Sequence, residues 1–251
     1  MFSAIPFALL IRTLLGCSVL LAATAVMQKY IGLNLGWQAA IAGLRAVVQL
    51  AVLSLVLRGA VSSPWLAGGF LILMMTIASI TSARRNAHLT YGPYSASVSI
   101  FMAASTTIAF VFILRMLDFS VPQFIAIGGI ITGNCMSAAT LGGRRFAAAS
   151  KAMRGEVEGW FALGATPPVA FREVSRISMR EMLIPKLDQT KNTGLVTMPG
   201  AFVGALFGGA SPIEAARFQV VVLVAILFAQ TLTGWIQMQI LSRATVIAPD
   251  V

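Results

Sequence analysis

Negative charge is scarce in this sequence: Asp and Glu together number eight in 251 residues, against 18 Lys and Arg. Charged residues of either sign make up 10% of the chain, 58% is hydrophobic, and the mean hydropathy is +0.87. A soluble domain averages about 45–50% apolar and about 25% charged residues, so a water-soluble globule is excluded. Histidine occurs once, as His88, which removes any multi-histidine metal site within one chain and argues against a Ser-His-Asp hydrolase. The two cysteines, Cys17 and Cys135, stand far apart within apolar segments and fit neither a disulfide framework nor a metal-type spacing. No G-x-x-x-x-G-K-[ST] phosphate loop occurs in the sequence. Internal repeats, linkers and low-complexity tails are missing as well.

What the chain has instead is a series of apolar stretches, each near the roughly 20 residues that carry a helix across about 30 Å of hydrocarbon. Length and hydropathy predict an all-α polytopic membrane protein with about seven spans, near 7–28, 37–57, 65–81, 94–114, 121–141, 183–207 and 215–241. One transmembrane domain is expected to fill residues 1–251. Breaks are signalled by Ser62-Ser63-Pro64, Gly92-Pro93, Val121-Pro122 and the run Gly208-Gly209-Ala210-Ser211-Pro212. The net charge of +10 reads as topology, not as a nucleic-acid surface. Lys29, Arg84, Arg85, Arg144, Arg145, Lys151, Arg154, Arg172, Arg176, Arg180 and Arg243 fall on one side, and Arg58, Arg115 and Arg217 with Asp118 and Glu214 on the other. Basic residues near helix ends stay cytoplasmic, so the N-terminus is expected outside and the C-terminus inside. Arg12, the apolar run after it and Ala23-Thr24-Ala25 have the outline of a cleavable signal peptide. The apolar run continues past that point and the seven-span count agrees with the charge bias, which favours a retained first span.

One connection, from Gly142 to Met182, is about 40 residues long, the size at which a loop has structure or function of its own. It predicts a helix over 147–163 that stops at Gly164, a residue able to take the left-handed conformation that ends helices. Thr166 would cap a second helix, whose first turn tolerates Pro167 and Pro168 because their missing N–H groups have no partner there. The result is a rigid helix–Gly–cap–helix elbow. Glu156, Glu158, Trp160 and Phe161 give its first helix two charges and an aromatic anchor of the kind that carries interface energy. The competing structural reading lays the elbow on the lipid surface, with Arg172, Arg176 and Arg180 as a basic interfacial stripe.

The elbow carries a resemblance. Glu158-Gly159-Trp160, then Gly164-Ala165-Thr166-Pro167, then Ala170-Phe171-Arg172 is similar to the "EAA" loop of ABC transporter permeases, the short helix that docks into the ATP-hydrolysing subunit. Here Gly159-Trp160 stand where that loop has two alanines, and its later Leu-Pro has only Ile184-Pro185 further on. More closely, "LGATPPVAFREV", "LIPKLDQTKNTGLVTMPGAFVGALFGGASPIEAARFQ" and "GGIITGNCMSAATLG" resemble the FetB family of iron-export permeases, which also includes plant aluminium-tolerance permeases. The likeness runs from about Gly36, at "GLRAVVQLAVL", nearly to the C-terminus. It implies a non-enzymatic permease in the bacterial inner membrane, working as a homodimer with a separate ABC ATPase that holds ATP and Mg, with no cofactor in this chain. It implies that Glu156, Glu158, Trp160, Phe161, Leu163, Gly164, Ala165 and Thr166 dock that ATPase.

Within the spans, Arg45 and Gln49 lie one turn apart on one helix face, and a charge at that depth costs several kcal/mol unless paired or hydrated. They mark either a hydrogen bond to helix-end carbonyls or a substrate contact. Gly128-Gly129 with Gly133-Asn134, and Gly194 with Pro199-Gly200 and Gly204, concentrate helix breakers at bilayer depth. Such segments either pack helices closely or line a polar path. The second reading makes Thr132, Asn134, Met136, Thr197 and Met198 path candidates, with Gly194, Pro199 and Gly200 as a hinge. No carboxylate lies near mid-membrane, and Met136, Met198 and Cys135 read mainly as packing, so no metal-ligand set is assigned. Expected function is therefore ATP-driven export of iron or a related metal, with two alternatives. One is a permease for an organic anion such as a nucleotide sugar, with Arg45 as counter-charge; the other is an ATPase-independent secondary transporter or scaffold.

Overall fold

The computed structural model describes residues 7–33, 35, 37–60 and 63–246. Gly36, where the resemblance begins, and Ser62 of the first break signal lie outside them, as does the Arg58 side chain. Contacts divide the chain into two compact units, Met1–Ser62 and Ser63–Val251. In the first, α1 (Phe7–Tyr30) and α2 (Gln38–Ala60) pack as a hairpin. Gly43 brings the two together, since a Cβ there would stand 2.7 Å from Leu21 Cδ1. Both helices are apolar around their whole circumference and largely exposed, the pattern of helices solvated by lipid.

The second unit is built on four long helices: α3 (Pro64–Arg85), α4 (Gly92–Ile113), α5 (Val121–Ala152) and, last in the chain, α10 (Pro212–Leu241). They enclose a core of small and branched residues that includes Ala96, Ile100, Ala103, Ile127, Ile131 and Ala229. Their starts are where proline is tolerated, at the first turn: Pro64, Pro93, Pro122 and Pro212. Ser211 and Glu214 add a reciprocal capping box to α10, each side chain satisfying the other residue's backbone N–H. Among the described residues, six helices, α1 and α2 included, are long and apolar enough to cross a bilayer.

Three expectations need revision. The predicted fifth span does not stop at Leu141; α5 runs 32 residues without interruption. At 1.5 Å per residue it is about 48 Å long and overshoots a bilayer core of about 30 Å. Gly128 and Gly129 do not break it, because their missing side chains are filled by a neighbour: a Cβ on Gly128 would stand 2.5 Å from Leu71 Cδ1, and one on Gly129 3.3 Å from Met74 Cε. Close packing is their role.

The predicted elbow helix over 147–163 is divided at Met153, since residues 147–152 complete α5 and a separate α6 covers Arg154–Ala162. After the four-residue α7 (Pro167–Ala170), Phe171 separates it from α8 (Arg172–Lys191). The predicted sixth span is not one helix either. The C-terminal half of α8, an irregular stretch and the eight-residue α9 (Gly200–Phe207) replace it. Gly194 at φ +88° and Pro199, which has no N–H to donate, account for the interruption. α8 packs along α5 and α10, and α9 along α10.

Candidate functional site

α6 ends as the sequence predicts. Gly164 takes φ +79°, its N–H reaches Phe161 O at 2.9 Å, and the Ala165 N–H reaches Trp160 O at 3.0 Å, which together form a Schellman closure. Thr166 occupies the cap position of α7, but its side chain makes no capping hydrogen bond. Backbone geometry and Pro167 start that helix instead. A second apolar cluster anchors the elbow: Phe171 is fully buried among Leu89 of the α3–α4 turn, Phe146 of α5, Val157 of α6 and Leu241 of α10. The Phe171 ring lies 5.5 Å from Phe146 and 6.0 Å, edge-on, from Phe161. Burial of an aromatic side chain on this scale is worth about 3–5 kcal/mol on truncation, so Phe171 anchors the elbow to the ends of α5 and α10.

The proposed docking residues divide into two groups. Glu156, Glu158, Trp160, Leu163, Gly164 and Thr166 are exposed, with Leu163 at 82%. Phe161 and Ala165 are half-buried, and Phe161 faces the cluster, so it fixes the elbow while Trp160 and Leu163 form its outer apolar face. Glu158 accepts a hydrogen bond from Arg154 Nε at 2.8 Å, and Arg145 of α5 pairs with Glu181 of α8 at 3.2 Å. Both pairs are about half-exposed or more, so each stabilises by at most about 1 kcal/mol.

Two cavities border the C-terminal half of α8, and the larger extends to the break that follows it. The smaller, about 180 Å³, lies between Asn134 and Ser137 of α5, Lys186 and Gln189 of α8, and Gln230 of α10. The larger, about 450 Å³, takes in Lys186, Gln189, Thr193, Thr197, Met198 and the start of α9 at Gly200. Lys186 and Gln189 line both, joined by a 3.0 Å bond from Lys186 Nζ to Gln189 Oε1. Gln230 Nε2 donates to Asn134 Oδ1 at 3.3 Å, and Asn134 Nδ2 donates to Ile130 O at 2.8 Å.

Of the predicted path residues, then, Asn134, Thr197 and Met198 line these cavities, and the hinge residues Pro199 and Gly200 sit on the wall of the larger. Thr132 is buried without a hydrogen-bond partner, and Met136 packs against the core; neither lines a cavity. Arg45 and Gln49 belong to the first unit and are exposed within it.

Sequence reasoning missed Lys186 and Gln189, although they stand one turn apart beside the predicted hinge. It also missed the glutamines of α10. Gln219, Gln230 and Gln237 are separated by three turns and two turns, so they form one stripe, and all three are buried. That periodicity was readable. Less so was Asn86, whose Nδ2 donates to Ala139 O at 3.0 Å while Gln237 Nε2 donates to the same oxygen at 2.8 Å. The approach requires Gly142 and Gly143: a Cβ on the first would stand 2.6 Å from Gln237 Oε1, and one on the second would collide with Asn86 Oδ1.

Long apolar helices, a packed bundle with lipid-facing flanks and a helix broken beside polar cavities define an integral, polytopic, all-α membrane protein. The chain belongs to the Uncharacterised protein family (UPF0014), whose model matches residues 11–246 and so covers both compact units. It is 33% identical over 222 residues to the UPF0014 membrane protein STAR2 of Oryza sativa subsp. japonica, covering 85% of this chain and 78% of that one. To the Protein ALUMINUM SENSITIVE 3 of Arabidopsis thaliana it is 32% identical, covering 76% of this chain and 70% of that one. With a protein of Escherichia coli strain K12 named "Probable iron export permease protein FetB" it shares 30% identity, over 71% of this chain and 70% of that one. No solved structure matches it.

Proposed function

We propose that this chain is the membrane-spanning permease subunit of an ABC exporter for iron or a related metal. One observation carries the reading: the elbow and the cavities lie at opposite ends of the same helix. α8 follows the buried Phe171 and ends at Lys191, just before Gly194, with Lys186 and Gln189 of its last turns on the cavity walls, a layout suited to passing a displacement of the elbow to the cavities. That arrangement suits alternating access driven from outside the bilayer, with ATP and Mg on a separate ATPase docked at Trp160, Leu163, Glu156 and Glu158. Discontinuous helices lining a cavity at bilayer depth are how transporters place a substrate site.

Arg84, Arg85, Arg144, Arg145, Lys151 and Arg243 occur near the α3, α5 and α10 ends that meet around Leu89, Phe146 and Leu241, which supports a cytoplasmic elbow and C-terminus. On this reading the broken segment is a seventh crossing, the N-terminus is outside, the protein sits in the bacterial inner membrane, and two copies with two ATPases make the transporter. Leu163→Glu combined with Trp160→Ala should lower recovery of an ATPase encoded beside this chain on affinity purification by about tenfold or more, with membrane insertion unchanged. Undiminished recovery would remove the elbow from the docking surface.

A further inference from the structure

The length of α5 fixes a level on the second unit. Counted from Val121 at 1.5 Å per residue, α5 has crossed a hydrocarbon core of about 30 Å by Gly142. α3, α4 and α8 meet it there. Asn86, which ends α3, donates from Nδ2 to Ala139 O at 3.0 Å, and Gly92 at the start of α4 lies against Asn86 O. On α8, Met182 Sδ would stand 3.2 Å from a Cβ on Gly142, and Glu181 pairs with Arg145 at 3.2 Å. The hydrocarbon boundary therefore passes through the last turn of α3, the first turn of α4 and residues 180–182 of α8.

What these helices expose at that level is arginine. Arg84 and Arg85 of α3, Arg144 of α5 and Arg180 of α8 are exposed, and none makes an ion pair or a side-chain hydrogen bond among the described residues. Glu181, the carboxylate at that level, is already held by Arg145. Tyr91 and Tyr94, 42% and 63% exposed, stand on either side of Gly92 and add the amphipathic rings that favour a membrane interface. Retention of positive charge on one side accounts for basic residues at this end, but not for unpaired guanidiniums gathered at one depth with no lysine among them. A guanidinium offers a planar fork of N–H donors that matches phosphate, where an ammonium offers a point charge. The opposite end of the same unit carries both signs, Asp118 and Glu214 with Arg115 and Arg217, and has no such surplus.

We infer that this level is a binding belt for anionic phospholipid, whose headgroup phosphates take Arg84, Arg85, Arg144 and Arg180 as partners. Lipid is the occupant because these guanidiniums sit where the acyl chains end. A soluble anion or an acidic protein would approach from the water beyond, where Arg172 stands about 12 Å past Arg180 along α8 and Arg243 about 9 Å past Gln237 at the end of α10. The belt needs neither an ATPase nor a cargo, so it stands apart from the permease reading.

The test is native mass spectrometry of the full chain released from nanodiscs of equal phosphatidylglycerol and phosphatidylcholine, with the retained lipids counted. Phosphatidylglycerol should exceed phosphatidylcholine by about tenfold or more, since each basic residue near the headgroups favours an anionic lipid by about fivefold. Arg84→Gln with Arg85→Gln should cut that ratio by about fivefold or more, and adding Arg144→Gln and Arg180→Gln should bring it near one. These side chains are exposed and unpaired, so the unfolding midpoint should not move. Arg172→Gln with Arg243→Gln removes the same charge as the first pair but lies about a Debye length beyond the belt, and should leave the ratio within about twofold of the parent. Equal retention of the two lipids by the parent protein overturns the inference. So does an equal loss from the Arg172 and Arg243 pair, which would make the preference a diffuse field of the whole end. Displacement of the retained phosphatidylglycerol by an excess of inorganic phosphate would overturn it as well, by assigning the arginines to a soluble anion.

Discussion

Gly164→Pro should, on the proposed permease reading, abolish stimulation of a docked ATPase by this chain, a loss of more than tenfold, while the protein still inserts and its long helices remain folded. Gly164 sits at φ +79°, and its N–H closes α6 onto Phe161 O. Proline fixes φ near −65° and has no N–H, so both elements of the closure disappear, at a local cost of about 3 kcal/mol or more. α6 is only nine residues long and holds on by Val157 and Phe161, so it has little packing with which to absorb that cost. Hydrogen exchange read by mass spectrometry over 154–166 should rise sharply, with α5 and α10 unchanged. Normal stimulation with a loosened elbow would detach coupling from this segment. Ala at the same position is the graded comparison: it keeps the N–H and costs only the left-handed strain, about 1–2 kcal/mol.

A second large effect is expected on stability. Gly92→Ala places a Cβ on the backbone carbonyl oxygen of Asn86, with Leu89 Cβ 3.0 Å away, and no rotamer change relieves a collision between side chain and backbone. The α3–α4 turn must open, which pulls Asn86 from Ala139 O and Leu89 from the cluster around Phe171. A cost of about 3 kcal/mol is expected, seen as a fall of about 6–12 °C in the unfolding midpoint in detergent. Gly133→Ala is the control. A Cβ there meets nothing within 4 Å, and alanine is the better helix former, so its midpoint should stay level or rise slightly. A smaller fall at Gly92 than at Gly133 would contradict the packing described for this end of the bundle.

Much of this architecture was legible because lipid simplifies the code. Apolar length alone placed α1 to α4 and α10 within a few residues, and the prolines at the first turns of α3, α4 and α10 marked those starts. Gly164 and the Gly194–Gly200 break were readable too, since left-handed backbone and a missing N–H are local demands. The continuous α5 was not. Gly128 and Gly129 signal both a thinned helix and a close contact, and only the position of Leu71 and Met74 decides between them. Inward-facing Phe161 was hidden for the same reason, as its partner Phe171 lies ten residues on, across a turn.

Of the candidate path, Thr197 and Met198 beside the break line the larger cavity, because a broken helix creates the space they face, and Asn134 reaches the smaller cavity from α5. Thr132 and Met136 sit on the unbroken α5, whose neighbours cover them. Lys186 lies inside the predicted span 183–207 and was not among the basic residues weighed for topology, although its position one turn before Gln189 distinguished it.

The most direct test of the account is transport itself. The chain and the ATPase proposed to dock on it, reconstituted in liposomes with the ATPase facing outward and iron supplied there, should accumulate iron in the lumen only when Mg-ATP is added outside. Glu158→Lys should abolish that accumulation; it places a cation beside Arg154 on an exposed face where the original pair adds little to folding. A stable, ATP-hydrolysing complex that leaves iron outside, or accumulation indifferent to Glu158→Lys, would contradict it.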